Sequence, residues 1–178
     1  LIAPAPPTGL TVTWANTLFT EDFSSGVPPT GWASQTSGTT GTWSQTATVV
    51  AGGTSPEAQF RFGANGIGTS RLYAEPFDTT GLASLDLQFR QFFDDYAAGV
   101  TVKVQTSTDL ITWNDIGWFI NSGGGNVGPG LISTTIATPD VGSGTFYISW
   151  TVDGNSYQLD YWYIDSIIVS YTGAGFTD

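Results

Sequence analysis

The sequence predicts an all-β sandwich of two stacked antiparallel sheets preceded by an extended Pro-rich arm, and three observations carry that prediction. Segments between turn residues alternate apolar and polar with period two, the spacing at which strand side chains share a face. Twenty-three Gly and nine Pro punctuate the 178 residues at short intervals, and no stretch of a dozen residues keeps helical periodicity free of them. Hydrophobic residues make up 40% of the chain, enough to fill one core, while charged residues make up only 11%. Thr, Ser, Gly, Asn and Gln must therefore supply the solvated positions.

The elements follow in order. Residues 1–16 form an arm whose prolines at positions 4, 6 and 7 favour polyproline conformation. Its segment 10–14 alternates, so Leu10, Val12 and Trp14 could pair at home or fill pockets on a neighbouring copy by strand addition. The sandwich is assigned to 17–172, with strands at 17–23, 42–50, 58–62, 71–73, 84–93, 100–107, 111–120, 131–136, 145–152 and 161–171; a short tail covers 173–178. Val100, Val102 and Val104 point to one side while Thr101, Lys103 and Gln105 point to the other. Along 161–171 the same rule puts Tyr161, Tyr163, Asp165, Ile167, Val169 and Tyr171 on one face. The stretches 26–41, 63–70 and 121–130 read as loops, the last flexible or site-forming through Gly123, Gly124 and Gly125.

Composition excludes much chemistry. Cys, His and Met are absent, which removes disulfides, Ser-His-Asp and Cys-His catalysis, and the usual zinc, copper, haem and iron–sulfur ligand sets. Fifteen acids against Arg61, Arg71, Arg90 and Lys103 give a net charge of −11. No phosphate-tracking patch can be built from four cations, so nucleic acid and anionic lipid are not expected as partners. No apolar run is long enough for a membrane helix. The start at Leu1 suggests a mature form after leader removal, and the neutral polar skin suggests an extracellular or cell-surface location.

Several residues are candidates for a site. Glu21 shares a face with Phe19 and Phe23, and Asp165 lies among aromatics, so both acids are expected in the core. A buried carboxylate must be paired, hydrogen-bonded or metal-bound. A shared Ca2+ would use hard oxygen ligands, with Asp22, Asp160 and loop carbonyls completing the shell; backbone donors or pairing with an arginine are the alternative. Trp32, Trp118, Tyr157 and Trp162 are candidates for stacking on sugar rings, against the plainer expectation that alternating aromatics fill the core. Asp94-Asp95-Tyr96 could supply a carboxylate pair, but turn chemistry explains it better, and no catalytic residues are assigned. Lys103 is the single lysine and faces outward.

Phe19-Thr20-Glu21-Asp22-Phe23, Pro28-Pro29-Thr30-Gly31-Trp32, Trp43 and Tyr161-Trp162-Tyr163-Ile164-Asp165-Ser166-Ile167-Ile168-Val169 together resemble the MAM-like jelly rolls. These include the cleaved-adhesin and choice-of-anchor modules of surface and secreted proteins. The resemblance spans about residues 17–171 and implies a jelly-roll β-sandwich, often with structural calcium between the first and last strands, in adhesive or accessory-binding roles. Glu21 and Asp165 are the matching acids, and Ser166 stands where the family commonly has a second Asp. The segment from Ser107 to Trp113 resembles an Asp-box hairpin, with Asp109 capping the turn and Ile111 in place of the usual glycine. Two non-catalytic functions are expected. One is a self-assembling surface-filament subunit that binds copies of itself through the arm; the alternative is a calcium-stabilised module that binds cell-surface glycans.

Overall fold

A computed structural model describes residues 13–174. Among the described residues eleven strands form two antiparallel sheets: β1 (Thr13–Glu21), β2 (Trp32–Gly38), β3 (Thr42–Thr46), β4 (Glu57–Arg61), β5 (Gly68–Ala74), β6 (Leu85–Asp95), β7 (Val100–Ser107), β8 (Asn114–Asn121), β9 (Val127–Ile136), β10 (Tyr147–Gly154) and β11 (Leu159–Ala174). One sheet runs β3-β4-β11-β6-β9, with β1 also paired to β11, and the other runs β2-β5-β10-β7-β8. This is the jelly-roll sandwich, and β11 lies inside its sheet, paired with β4, β6 and β1.

Two elements differ from the sequence reading. Thr13 and Trp14, from the expected strand 10–14, run on into the expected strand 17–23 as one strand, β1, in which Trp14 pairs with Gly173 of β11 in the home sheet. Trp14 therefore belongs to the sandwich, while Leu10 and Val12 lie outside the described residues. Conversely, β2 falls inside the expected loop 26–41. It is an edge strand exposed from Ser34 to Gly38, so it carries no apolar alternation to read.

The core is continuous and strongly aromatic. Trp32 stacks on Trp150, Phe89 meets both Trp150 and Trp118 edge-on, Trp118 stacks on Trp162, and Trp43 tilts against Trp162. This ladder crosses the interface between the sheets. Trp150 and Trp162 are fully buried, and burying each such side chain contributes roughly 1.5–3 kcal/mol or more.

A bulge corrects the face assignment in β11. Ser166 adopts φ +52°, and the pairing with β6 slips between Asp165 and Ile168. The extra residue inverts the alternation. Trp162 and Ile164 before it, and Ile167 and Val169 after it, all enter the core. Tyr161, Tyr163 and Asp165 consequently face away from that core, and do not share a side with Ile167, Val169 and Tyr171.

Candidate functional site

The outward side of the five-stranded sheet carries an ordered array of polar and aromatic groups. Leu72, Ala74, Val102, Val104, Ile148, Trp150 and Val152 point into the core, so their neighbours point out. Strand register arranges those neighbours in three rows of five: Ala33-Tyr73-Ser149-Gln105-Asp115, Gln35-Arg71-Thr151-Lys103-Phe119, and Ser37-Thr69-Asp153-Thr101-Asn121. Five strands about 4.8 Å apart make a platform about 19 Å across.

A charge-balanced network fills its centre. Arg71 Nε donates to Gln105 Oε1 at 3.2 Å, and Gln105 Nε2 donates to Asp115 Oδ1 at 2.7 Å. Lys103 Nζ lies 3.4 Å from Asp115 and 3.2 Å from Asp153, while Thr69 Oγ1 donates to Asp153 Oδ1 at 2.8 Å. Burial would raise the Asp153 carboxyl, but the Thr69 hydroxyl and the Lys103 and Arg71 charges hold it below its ordinary value. Burial lowers the Arg71 guanidinium from its ordinary value, against the pull of Asp153 and Asp115.

Aromatic side chains flank this network. On the β8 side Phe119 is 57% exposed and lines a cleft of about 240 Å³ with Lys103, Asp115, Asn121 and Asp153. On the β5 side Trp113 packs edge-on to Tyr73, with the Arg71 guanidinium 5.0 Å from its ring. Trp113 comes from the β7–β8 connection, whose shape follows from the Asp109 turn. Asp109 Oδ1 accepts the Ile111 and Thr112 N–H groups, and Ser107 Oγ accepts those of Asp109 and Leu110. Gln35 Nε2 ties the turn to β2 through Leu110 O. The result is a second cleft of about 340 Å³ between Gln35, Arg71, Leu110 and Trp113.

The candidate sugar-stacking residues lie mostly elsewhere. Trp162 is fully buried, whereas Trp32 and Trp118 are partly buried: both pack against the core ladder and also line clefts, Trp118 the same one as Phe119. Only Tyr157 is exposed, at the β10–β11 connection. Phe119 and Tyr73 were legible in the sequence: each lies in phase with polar neighbours, Asp115 and Asn121 or Thr69 and Arg71, and out of phase with the core positions. Trp113 gave no such signal, because its position depends on the turn.

The candidate metal ligands divide. Asp165 is fully buried beneath the β3–β4 connection, where Oδ2 accepts Thr54 N–H and Oδ1 accepts Ser166 N–H. The approach is close: a Cβ at Gly53 would lie 1.8 Å from Asp165 Oδ2. Glu57, also buried, accepts the Val50 and Ala51 N–H groups and the Thr48 hydroxyl. Glu21 is half-buried, accepts Phe23 N–H, and lines a cleft with Asp22 and Ser166. Burial raises both Glu21 and Asp165 above their ordinary values. Asp160 is not brought to this corner; it sits beside Phe62, Tyr96 and Tyr157. Oxygen chemistry suits calcium, but among the described residues no three acidic side chains converge as a metal group would require. Backbone donors, the alternative set out above, already reach both Glu21 and Asp165.

No protein-family description matches the sequence, and no curated protein matches it either. Solved structures do match in fold. The K3 cleaved-adhesin domain of Lys-gingipain from Porphyromonas gingivalis superposes with a TM-score of 0.58 at 12% identity, covering 88% of this chain and 100% of that one. A carbohydrate-binding module with specific mannan recognition, TmCBM27, gives 0.56 at 14% identity, covering 88% and 98%. The family 11 carbohydrate-binding module of the cellulase Lic26A-Cel5E of Clostridium thermocellum gives 0.53 at 12% identity, covering 97% and 100%. At such identities the likeness establishes the jelly-roll architecture.

Proposed function

We propose that the protein is a non-catalytic carbohydrate-binding module whose ligand lies along the outer side of the five-stranded sheet. The observation that carries this reading is the Arg71-Gln105-Asp115-Lys103-Asp153 network held between Phe119 on one flank and Trp113 with Tyr73 on the other. Sugar hydroxyls need donors and acceptors fixed in place, and sugar ring faces need aromatic walls. Carbohydrate-binding modules and cleaved-adhesin domains among the structural neighbours support the same reading and an extracellular or cell-surface setting. Among the described residues no helix is long and apolar enough to cross a membrane.

Lys103 on this face is already paired with Asp115 and Asp153, and the Arg71 guanidinium already donates to Gln105 and Gln35. The reading therefore favours neutral glycans over uronate- or sulfate-bearing ones, which the net charge of −11 would repel. The test is calorimetric titration with soluble mannan, mixed-linkage β-glucan and polygalacturonate. Saturable binding of a neutral polysaccharide that is lost in Trp113→Ala supports the reading; binding unaffected by that change removes it.

Assembly by strand addition is a separate proposal resting on the alternating segment 10–14, and its test is sedimentation with and without residues 1–12. Calcium held between Glu21 and Asp165 is likewise a proposal that the family resemblance carries. Chelation followed by a thermal melt decides it, since an unchanged transition removes the ion from this corner.

A further inference from the structure

Tyr157 and Asp160, singled out from the sequence for different roles, meet at a corner that belongs to none of the three rows. Phe62 follows β4, Tyr96 follows β6, Tyr157 lies in the 3-10 turn Ser156–Gln158, and Asp160 opens β11. Together they line a cavity of about 140 Å³. Tyr157 stands nearly perpendicular to both of its neighbours, 5.9 Å and 86° from Phe62 and 5.9 Å and 82° from Tyr96.

The corner is held in place by the backbone. Tyr96 and Ala97 N–H groups both donate to Gln158 O, Phe62 N–H donates to Asp160 O, and Gly63 N–H donates to Ser156 Oγ. Three chain segments are thereby fixed relative to one another before any ligand arrives. The Asp160 carboxylate has no hydrogen-bond or ion-pair partner among the described residues. Tyr96 is 61% exposed and Tyr157 is 41% exposed, large exposures for aromatic side chains of a domain that buries most of its own.

We propose that this corner binds an organic cation, specifically an alkylated ammonium group. Aromatic walls offer the negative faces of their π systems and no ligating atoms, which suits a weakly hydrated, diffuse charge and not a metal ion. The free carboxylate supplies the counter-charge. Phe62 already holds one cation in this way, with the Arg61 guanidinium 5.4 Å from its ring centroid, and Arg61 is not among the residues lining the cavity. The small volume admits an ammonium head and excludes a polysaccharide chain, so this site is independent of the proposed glycan face.

The test uses the full chain and choline chloride, with 3,3-dimethylbutan-1-ol as a neutral isostere of the same shape. Ligand-observed saturation-transfer NMR and titration of the tyrosine ring signals report binding, and thermal melts check that each variant is folded. Choline should bind saturably and about tenfold or more tightly than the isostere. Tyr157→Ala should abolish that preference. Asp160→Asn, which keeps the shape and removes the charge, should weaken choline while leaving the isostere unchanged. Equal binding of the two ligands, or no saturable choline binding by the folded protein, overturns the proposal.

Discussion

The outward sides of the two sheets treat acidic residues in opposite ways. On the six-stranded sheet the β3–β4 connection folds over Asp165 and Glu57, and main-chain N–H groups accept the task of holding both carboxylates. On the five-stranded sheet Asp115 and Asp153 stay exposed to the solvent side and share Lys103. The first arrangement seals a corner of the sandwich. The second leaves donors and acceptors fixed in position but accessible, between aromatic flanks, which is what recognition of a polar ligand requires. The position of a carboxylate in the strand register, and not its identity, decides which of these it does.

The largest expected effect breaks the link between aromatic residues and binding. Trp162→Ala removes the centre of the core ladder and should cost about 3–5 kcal/mol of stability in urea denaturation. The same change at Trp113 should leave stability within about 1 kcal/mol and lower affinity for a neutral glycan about tenfold or more by calorimetry. If the two substitutions behave alike, the division between core and recognition aromatics is wrong.

Gly53→Ala tests the sealed corner. Its Cβ would meet Asp165 Oδ2 at 1.8 Å, so the β3–β4 connection must shift, at about 1–3 kcal/mol in a thermal or urea melt. Glycan affinity should not change, because no residue of the three rows is touched. A stable Gly53→Ala protein would show that the connection does not hold Asp165 as described.

A smaller effect appears in the pH dependence of stability, where the two sides carry opposite signs. Glu21 and Asp165 have folded values raised above the ordinary 4.5 and 3.8 by burial. The folded state therefore takes up protons first, and these groups add stability as pH falls towards those values. Asp153 is held below its ordinary 3.8, so its contribution is present above 3.8 and is lost as pH falls through its folded value. Melting temperature should hold or rise from pH 7 to about 4.5 and fall below about 3.8. In Asp153→Asn the fall should be shallower, and a decline already under way between pH 7 and 5 would contradict the assignments.

Much of the architecture was legible in the sequence because half-buried strands print their burial as alternation. β7 matches the expected 100–107, and the outward Lys103 and buried Val102 were readable from the same few residues. Three features were not. β2 exposes most of its residues, so its sequence resembles a loop. The Ser166 bulge inverts the faces of β11, and a one-residue insertion leaves the composition of a strand unchanged. The proposed binding face depends on which strands are neighbours, and the rows joining β2, β5, β10, β7 and β8 unite positions up to 116 residues apart, Gln35 and Thr151 among them. Single-strand patterns point each side chain in or out; only the strand order brings Phe119, Lys103 and Arg71 onto one row.

We propose that the outer side of the five-stranded sheet is the ligand-binding surface. Backbone amide shifts of the isotope-labelled protein, recorded during titration with a neutral oligosaccharide such as a manno- or cello-oligomer, test it most directly. The account predicts perturbations concentrated on β5, β7, β8, β10 and the 108–113 turn, with the strands of the six-stranded sheet unmoved. Shifts centred instead around Glu21, Asp165 and the β3–β4 connection, or none with any neutral oligosaccharide, would contradict it.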